Sequence, residues 1–242
     1  MLLKDLTAVL DELAPSTLAR MGDEPLWQGA RRDEVTKLGV CVDTTEKNLL
    51  EAASLGVDAI VAHHGWDGTL EAVVQDHKMA IYRCHTNWDR APEGNSVTLA
   101  RLFNLSDIEA FNYSAVGNCP ATEAGAVLSE AAGKLRLPAL RYYGDPKVVV
   151  TRIGVMAGSC FGPNFPDEWA ELHRRGAQVV LSGDLTQRVG MTFAERGIFV
   201  GDISHSPSEL PGMEHMAELL RSRLSIPVAV LRDVYQVWIK PL

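Results

Sequence analysis

The sequence predicts an α/β protein built from two lobes. Short apolar runs that read as buried strands alternate with stretches of helical spacing, first over residues 38–103 and again over 148–200. Between the two series, residues 118–146 are rich in Gly, Ala and Pro, which reads as a boundary or a smaller connecting region. Strand, helix and strand in that order imply right-handed crossovers and neighbouring parallel strands.

Taken in order, Leu2, Leu6, Val9, Leu10 and Leu13 recur at helical spacing until Pro15, giving an opening amphipathic helix. Residues 15–35 read as irregular. Leu38–Asp43 is a buried strand, followed by a helix over 44–55 closed by Gly56, with Asp43 and Glu46 at capping-box spacing. Val57–Ala62 is a second strand, 69–78 a helix, Met79–Cys84 a third strand and Asn95–Phe103 a helix. The second series predicts strands at Val148–Ala157, Gln178–Leu181 and Ile198–Val200, with helices at Phe165–Arg175 and 186–196. The C-terminal part predicts a helix over Gly212–Leu224 with Met213, Met216, Leu220 and Leu224 on one stripe. Strands follow near Val228–Leu231 and Val234–Ile239. Pro207 and Pro211 speak against an ordinary helix reaching back to His205.

Composition excludes several classes. With 46% apolar residues over 242 positions, the chain can bury a core in one or two domains, so it is not a disordered chain. Its longest strongly apolar run, Ile226–Leu231, falls short of the ~20 residues that a membrane helix requires. The formal charge of −8 and the lack of a Lys/Arg cluster argue against a nucleic-acid partner. Cys41, Cys84, Cys119 and Cys160 form no C-x-x-C pair and read as reduced core thiols. Lys4, Asp5, Asp11 and Glu12 interrupt the first leucines, unlike the apolar core of a signal peptide, so the expected location is the cytoplasm.

Histidines concentrate where strands end. His63 and His64 follow the second strand and His85 follows the third, the edge at which open α/β sheets bind ligands; Asp89 lies just beyond, and Asp43 ends the first strand. Adjacent residues on a strand point to opposite faces, so His63 and His64 can serve one site only where the strand breaks, at Gly65. The plain alternative is one histidine bonded to backbone and the other solvated. A further pair, His205 and Glu209, stands four apart; alternatively, Ser206 and Glu209 form a capping box. His77, His173 and His215 read as solvated surface residues, and Asp184 as a turn residue.

The ordered set Ala62-His63-His64-Gly65, Cys84-His85-Thr86-Asn87-Trp88-Asp89 with Gly94-Asn95, and His205-x-x-x-Glu209 resembles the Nif-three-like dinuclear metal-centre family. Its members are often described as type 2 GTP cyclohydrolase I. The resemblance implies metal ligands at His63, His64, Asp89, His205 and Glu209 and two interlocking α/β lobes with mixed sheets flanked by helices. It also implies a toroidal homohexamer with paired metal sites facing the ring interior, and at this length the short form without an inserted domain. The first lobe is expected at 1–118 plus 203–242 and carries the ligands; the second is expected at 119–202. The chain departs from the family at Gly65, at Ser204 before the late histidine, and at Ser182-Gly183-Asp184, where Gln187 and Arg188 stand in place of an expected histidine.

Three imidazoles and two carboxylates suit two divalent ions among Zn, Mn, Fe, Co and Ni, with Asp89 and Glu209 as candidates for bridging. Five protein ligands for two ions leave positions open, the catalytic pattern. The expected activity is metal-dependent hydrolysis through a metal-bound hydroxide, on GTP or a related heterocyclic or nucleotide substrate. The alternative is a ring-shaped metal-binding regulatory or chaperone-like protein without turnover. His85 is the candidate catalytic histidine, as an orienter or proton shuttle, or else a core histidine bonded to backbone. Thr86 and Asn87 can position the turn, Trp66 can line the cavity or pack, and Arg188 is a candidate for recognising an anionic substrate. No P-loop sequence occurs, so nucleotide binding would need another architecture.

Overall fold

A strand buried on both faces needs a continuous apolar run, and β2 (Leu38–Asp43) is such a run, with every residue buried. The structure, a computed structural model, describes residues 1–66, 68, 70–162 and 165–234. These fall into two units, Met1–Gly94 with residues 212–234, and Asn95–Pro211.

In the first unit, α1 (Leu3–Leu13) buries Leu6, Leu10 and Leu13. After it come β1 (Leu26–Gly29), β2, α2 (Glu46–Ser54), β3 (Ala59–His64), α3 (Glu71–Asp76), β4 (Ala80–Arg83) and the single turn α4 (Thr86–Asp89). The second unit contains α5 (Asn95–Leu102), β5 (Ser106–Phe111), β6 (Ser114–Glu123), α6 (Ala124–Leu135), β7 (Arg141–Tyr143) and β8 (Val149–Val155). It continues with α7 (Pro166–Arg174), β9 (Val179–Ser182), α8 (Gln187–Ala194) and β10 (Phe199–Asp202). The chain then passes along α9 (His205–Arg223), within which the division falls, to β11 (Val228–Val230) in the first unit.

Both sheets are mixed and flanked by helices. The first has the order β1-β4-β3-β2-β11, with β11, β2, β3 and β4 parallel and β1 antiparallel at the edge. The register Asp43↔His64 and Ala62↔Arg83 brings three strand ends side by side. Its core joins Cys41, Ile60, Ala62 and Ile81 from the strands to Leu49, Ala52 and Val74 from the helices. The second sheet, β5-β6-β8-β9-β10-β7, is parallel only at β8-β9-β10. Alternation on its strands feeds two cores: Val179, Leu181 and Phe199 pack with Leu128 of α6, whereas Val180 and Val200 pack with Leu172 of α7 and Phe193 of α8.

Several expectations change. Residues 118–146 are not a connector: they hold the end of β6, all of α6 and β7, and the small side chains Ala124, Ala131 and Ala132 form the buried stripe of α6. A boundary at 118/119 would cut β6, which hydrogen-bonds to β8; the division lies instead at Gly94/Asn95 and Pro211/Gly212. Residues 15–35 contain edge strand β1, whose half-exposed residues leave no buried run to read. The helix after β2 is capped by Thr45, whose side chain accepts from Asn48 N at 3.1 Å, so Asp43 is not the cap. Helix α9 begins at His205, a full two turns before the expected start. Pro207 lies in its first turn, where its missing N–H would have no helical partner, and Pro211 costs one helical hydrogen bond. Cys119 is half-buried rather than in the core. The expected strand at Val234–Ile239 lies, beyond Val234, outside the described residues. Among those residues no helix is long and apolar enough to cross a membrane.

Candidate metal centre

At the carboxyl end of the first sheet, His63, His64 and His85 come together. Strand β3 runs through both adjacent histidines and stops at His64, so the break falls at Gly65 as expected. Side chains on the last residues of a strand lean past its end, and the rings of His63 and His64 lie with centroids 4.9 Å apart. The His85 ring is 4.9 Å from that of His63 and 5.4 Å from that of His64. Each of the three offers a ring nitrogen within 4.8 Å of the other two, a spacing at which they could hold a metal ion. Asp89 ends α4 with Oδ1 3.5 Å from His63 Nε2. The turn is fixed by Asn87, whose Nδ2 donates to Ala14 O at 2.7 Å, and by fully buried Trp88. Gly94 is required here, because a Cβ would run into the Trp88 carbonyl.

In the second unit, α9 places His205 and Glu209 on one face, with His205 Nε2 3.3 Å from Glu209 Oε1. Glu209 is buried, and Ser206 lies inside α9 rather than at its N-cap, the position a capping box requires. Ser208 Oγ accepts from Gly158 N at 2.9 Å and donates to His205 O at 2.6 Å, tying the helix start to the loop after β8. That loop passes close to the pair: a Cβ on Gly158 would collide with Glu209 Oε1 and reach 3.4 Å from His205 Nε2, and its φ of +81° also favours glycine.

Every one of these histidines is held at Nδ1. His63 donates to Cys84 O at 3.0 Å, His64 to Asp43 Oδ1 at 2.7 Å, His85 to Asp23 Oδ2 at 2.8 Å, and His205 to Asp184 Oδ2 at 2.8 Å. A carbonyl or carboxylate only accepts, so a proton belongs on Nδ1; in the neutral imidazole that leaves the lone pair on Nε2, as for a metal-binding imidazole and its outer partner. The residues therefore fit a divalent cation by donor chemistry. Cys84 is not among the grouped donors, and burial pushes its thiol up to about 12.

Sequence reading places Asp43 on the strand-end rim and also offers it as a helix cap, and it reads Asp184 as a turn residue; it identifies neither as the partner of a histidine. Asp184 does hold a turn conformation, φ +61°, while its carboxylate anchors His205. Asp23 carried no local signal. Thr86 turns out to bond Asp23 at 2.6 Å, and Trp66 packs against the first unit's core. His77 and His173 are exposed as expected, but His215 is partly buried and bonds Glu93 at 3.1 Å. Arg188 is exposed on α8.

Fold and site together define an α/β protein with two mixed sheets and histidine and carboxylate groups able to hold metal ions. The chain belongs to the DUF34/NIF3 (NGG1p interacting factor 3) family, whose profile matches residues 1–234. It is 25% identical to a GTP cyclohydrolase 1 type 2 homolog of Clostridium perfringens over 94% of each chain. It is 26% identical to the homolog of that name in Methanocaldococcus jannaschii, over 94% of this chain and 98% of the relative. Its fold is shared with a Bacillus cereus protein related to NIF3, at TM-score 0.86, 15% identity and 98% coverage of both chains. The Staphylococcus aureus hypothetical protein SA1388 matches at TM-score 0.84 and 20% identity, over 95% of this chain and 96% of that one.

Proposed function

We propose that this protein is a dinuclear metal-dependent hydrolase acting on GTP or a related heterocyclic or nucleotide substrate, and that it assembles as a toroidal homohexamer. His63, His64, Asp89, His205 and Glu209 hold two divalent ions drawn from Zn, Mn, Fe, Co and Ni. The observation that carries the reading is the anchoring of each imidazole at Nδ1, which leaves Nε2 as the donor atom. The name shared by the relatives, GTP cyclohydrolase 1 type 2 homolog, supports the substrate class.

Bound ions would supply Lewis acidity for hydrolysis at neutral pH. The chain's own groups do the rest. Asp89 and Glu209 would bring the negative charge that offsets two cations. His85 is the candidate catalytic histidine, its ring set beside those of His63 and His64. Arg188 is the candidate contact for an anionic part of the substrate.

The test is metal content per subunit of untagged protein, its mass in solution, and hydrolysis of GTP, other nucleotides, peptides and phosphoesters against an Asp89→Ala variant. About two metals per chain with Asp89-dependent turnover supports the enzyme. Stoichiometric metal without any such turnover moves the assignment to a metal-binding regulatory protein, and no metal under replete conditions overturns both.

A further inference from the structure

Among the three aspartates that anchor histidines, Asp23 has an unusual origin. Asp43 ends β2 and Asp184 lies just beyond β9, places where an α/β sheet gathers ligands, whereas Asp23 comes from the irregular segment between α1 and β1. That segment is strapped onto the corner between β4 and α4 by groups of the corner itself. Arg90 Nη1 donates to Leu18 O at 2.8 Å, Arg83 Nη2 donates to Glu24 O at 2.9 Å, and Thr86 Oγ1 accepts from Arg20 N at 3.0 Å. Inside the strap, Asp23 Oδ2 accepts from Thr86 Oγ1 at 2.6 Å and from His85 Nδ1 at 2.8 Å.

His85 needs this support more than its neighbours do. The His63 side chain is fully buried, so packing alone restricts its ring; that of His85 is 34% exposed. With Thr86 Oγ1 and His85 Nδ1 both donating to the same oxygen, the Asp23 carboxylate is fixed where it meets the His85 ring.

We infer that Asp23 is a positioning residue of the metal cluster: it holds His85 protonated at Nδ1, so that Nε2 joins His63 and His64 as an imidazole donor for a divalent cation. The inference rests on the metal-binding part of the reading above and makes His85 a metal donor in place of the free catalytic role given to it there. Removing an outer partner of this kind weakens metal binding about 10–100-fold.

The experiment measures zinc dissociation constants, by competition with a chromogenic chelator, for the untagged full chain and its Asp23→Ala, Asp23→Asn, His85→Ala and Asp23→Ala/His85→Ala variants. The two alanine variants are expected to weaken zinc about 10–100-fold. The double variant should be no weaker than His85→Ala alone, because Asp23 acts through His85. Asp23→Asn keeps an acceptor oxygen and should fall between wild type and Asp23→Ala, which keeps the test usable if the alanine variant folds poorly. Losses that multiply in the double variant would make Asp23 a strap residue independent of His85 and overturn the inference. Unchanged affinity in Asp23→Ala would overturn it while leaving the metal reading intact; a wild-type chain that binds no zinc would overturn both.

Discussion

His64 and Asp43 sit opposite one another in the parallel register of β3 and β2, and their side chains meet at 2.7 Å, Nδ1 to Oδ1. The backbone pairing that builds the sheet thus also sets the orientation of a candidate metal-binding imidazole. Asp43 is nearly buried, so it holds that ring with little competition from water.

Asp43→Ala should therefore act on metal binding while the chain keeps its fold. Its expected effect is a zinc dissociation constant raised about 10–100-fold. Chelator competition measures it, with circular dichroism confirming that the sheet is retained.

Gly158→Ala should disturb the His205–Glu209 pair without changing a donor atom. The new Cβ would collide with Glu209 Oε1, and φ at +81° disfavours any L side chain. The strain alone should cost about 1–2 kcal/mol in urea unfolding. Zinc affinity should fall about tenfold or more as Glu209 is pushed aside.

Glu168 gives a pH dependence of known sign. It is buried under β6, and burial raises its carboxyl above the ordinary 4.5 even though Ser114 Oγ donates to it at 2.8 Å. The folded state thus binds the proton more tightly than the unfolded one. Stability should fall as pH rises from 4.5 through the folded value and then level off. Glu168→Gln should raise the urea midpoint at pH 7, with the advantage vanishing below pH 4.5; an advantage independent of pH would contradict this assignment.

Thiol labelling should separate one cysteine from three. Burial raises all four thiols, but Cys41, Cys84 and Cys160 are buried whereas Cys119 is half-buried and open to a reagent. An aromatic disulfide reagent at pH 8 should titrate one thiol in the folded chain and all four in denaturant. Loss of the fast phase in Cys119→Ser would confirm the assignment.

Most of the strands and helices were legible because their cause is local. Leu38–Asp43 is uniformly apolar up to its last residue, the leucines of α1 recur at one turn, and β3 is an apolar run that ends in two histidines. Helix α9 was half legible, since two prolines lower helix propensity in the sequence, while the Ser208 bonds to Gly158 and His205 help fix its first turn in the fold.

By itself the sequence singled out the candidate site residues: His63, His64, His85, Asp89, His205 and Glu209 stand out by type and by position at element ends. Tertiary structure decided what holds the histidines. Asp43 and His64, like Asp184 and His205, are 21 residues apart, and Asp23 reaches His85 from a segment with no pattern of its own. Such partners are selected by strand register and by where an irregular strap is tied down. Those are properties of the assembled sheet and leave no periodic trace along the chain.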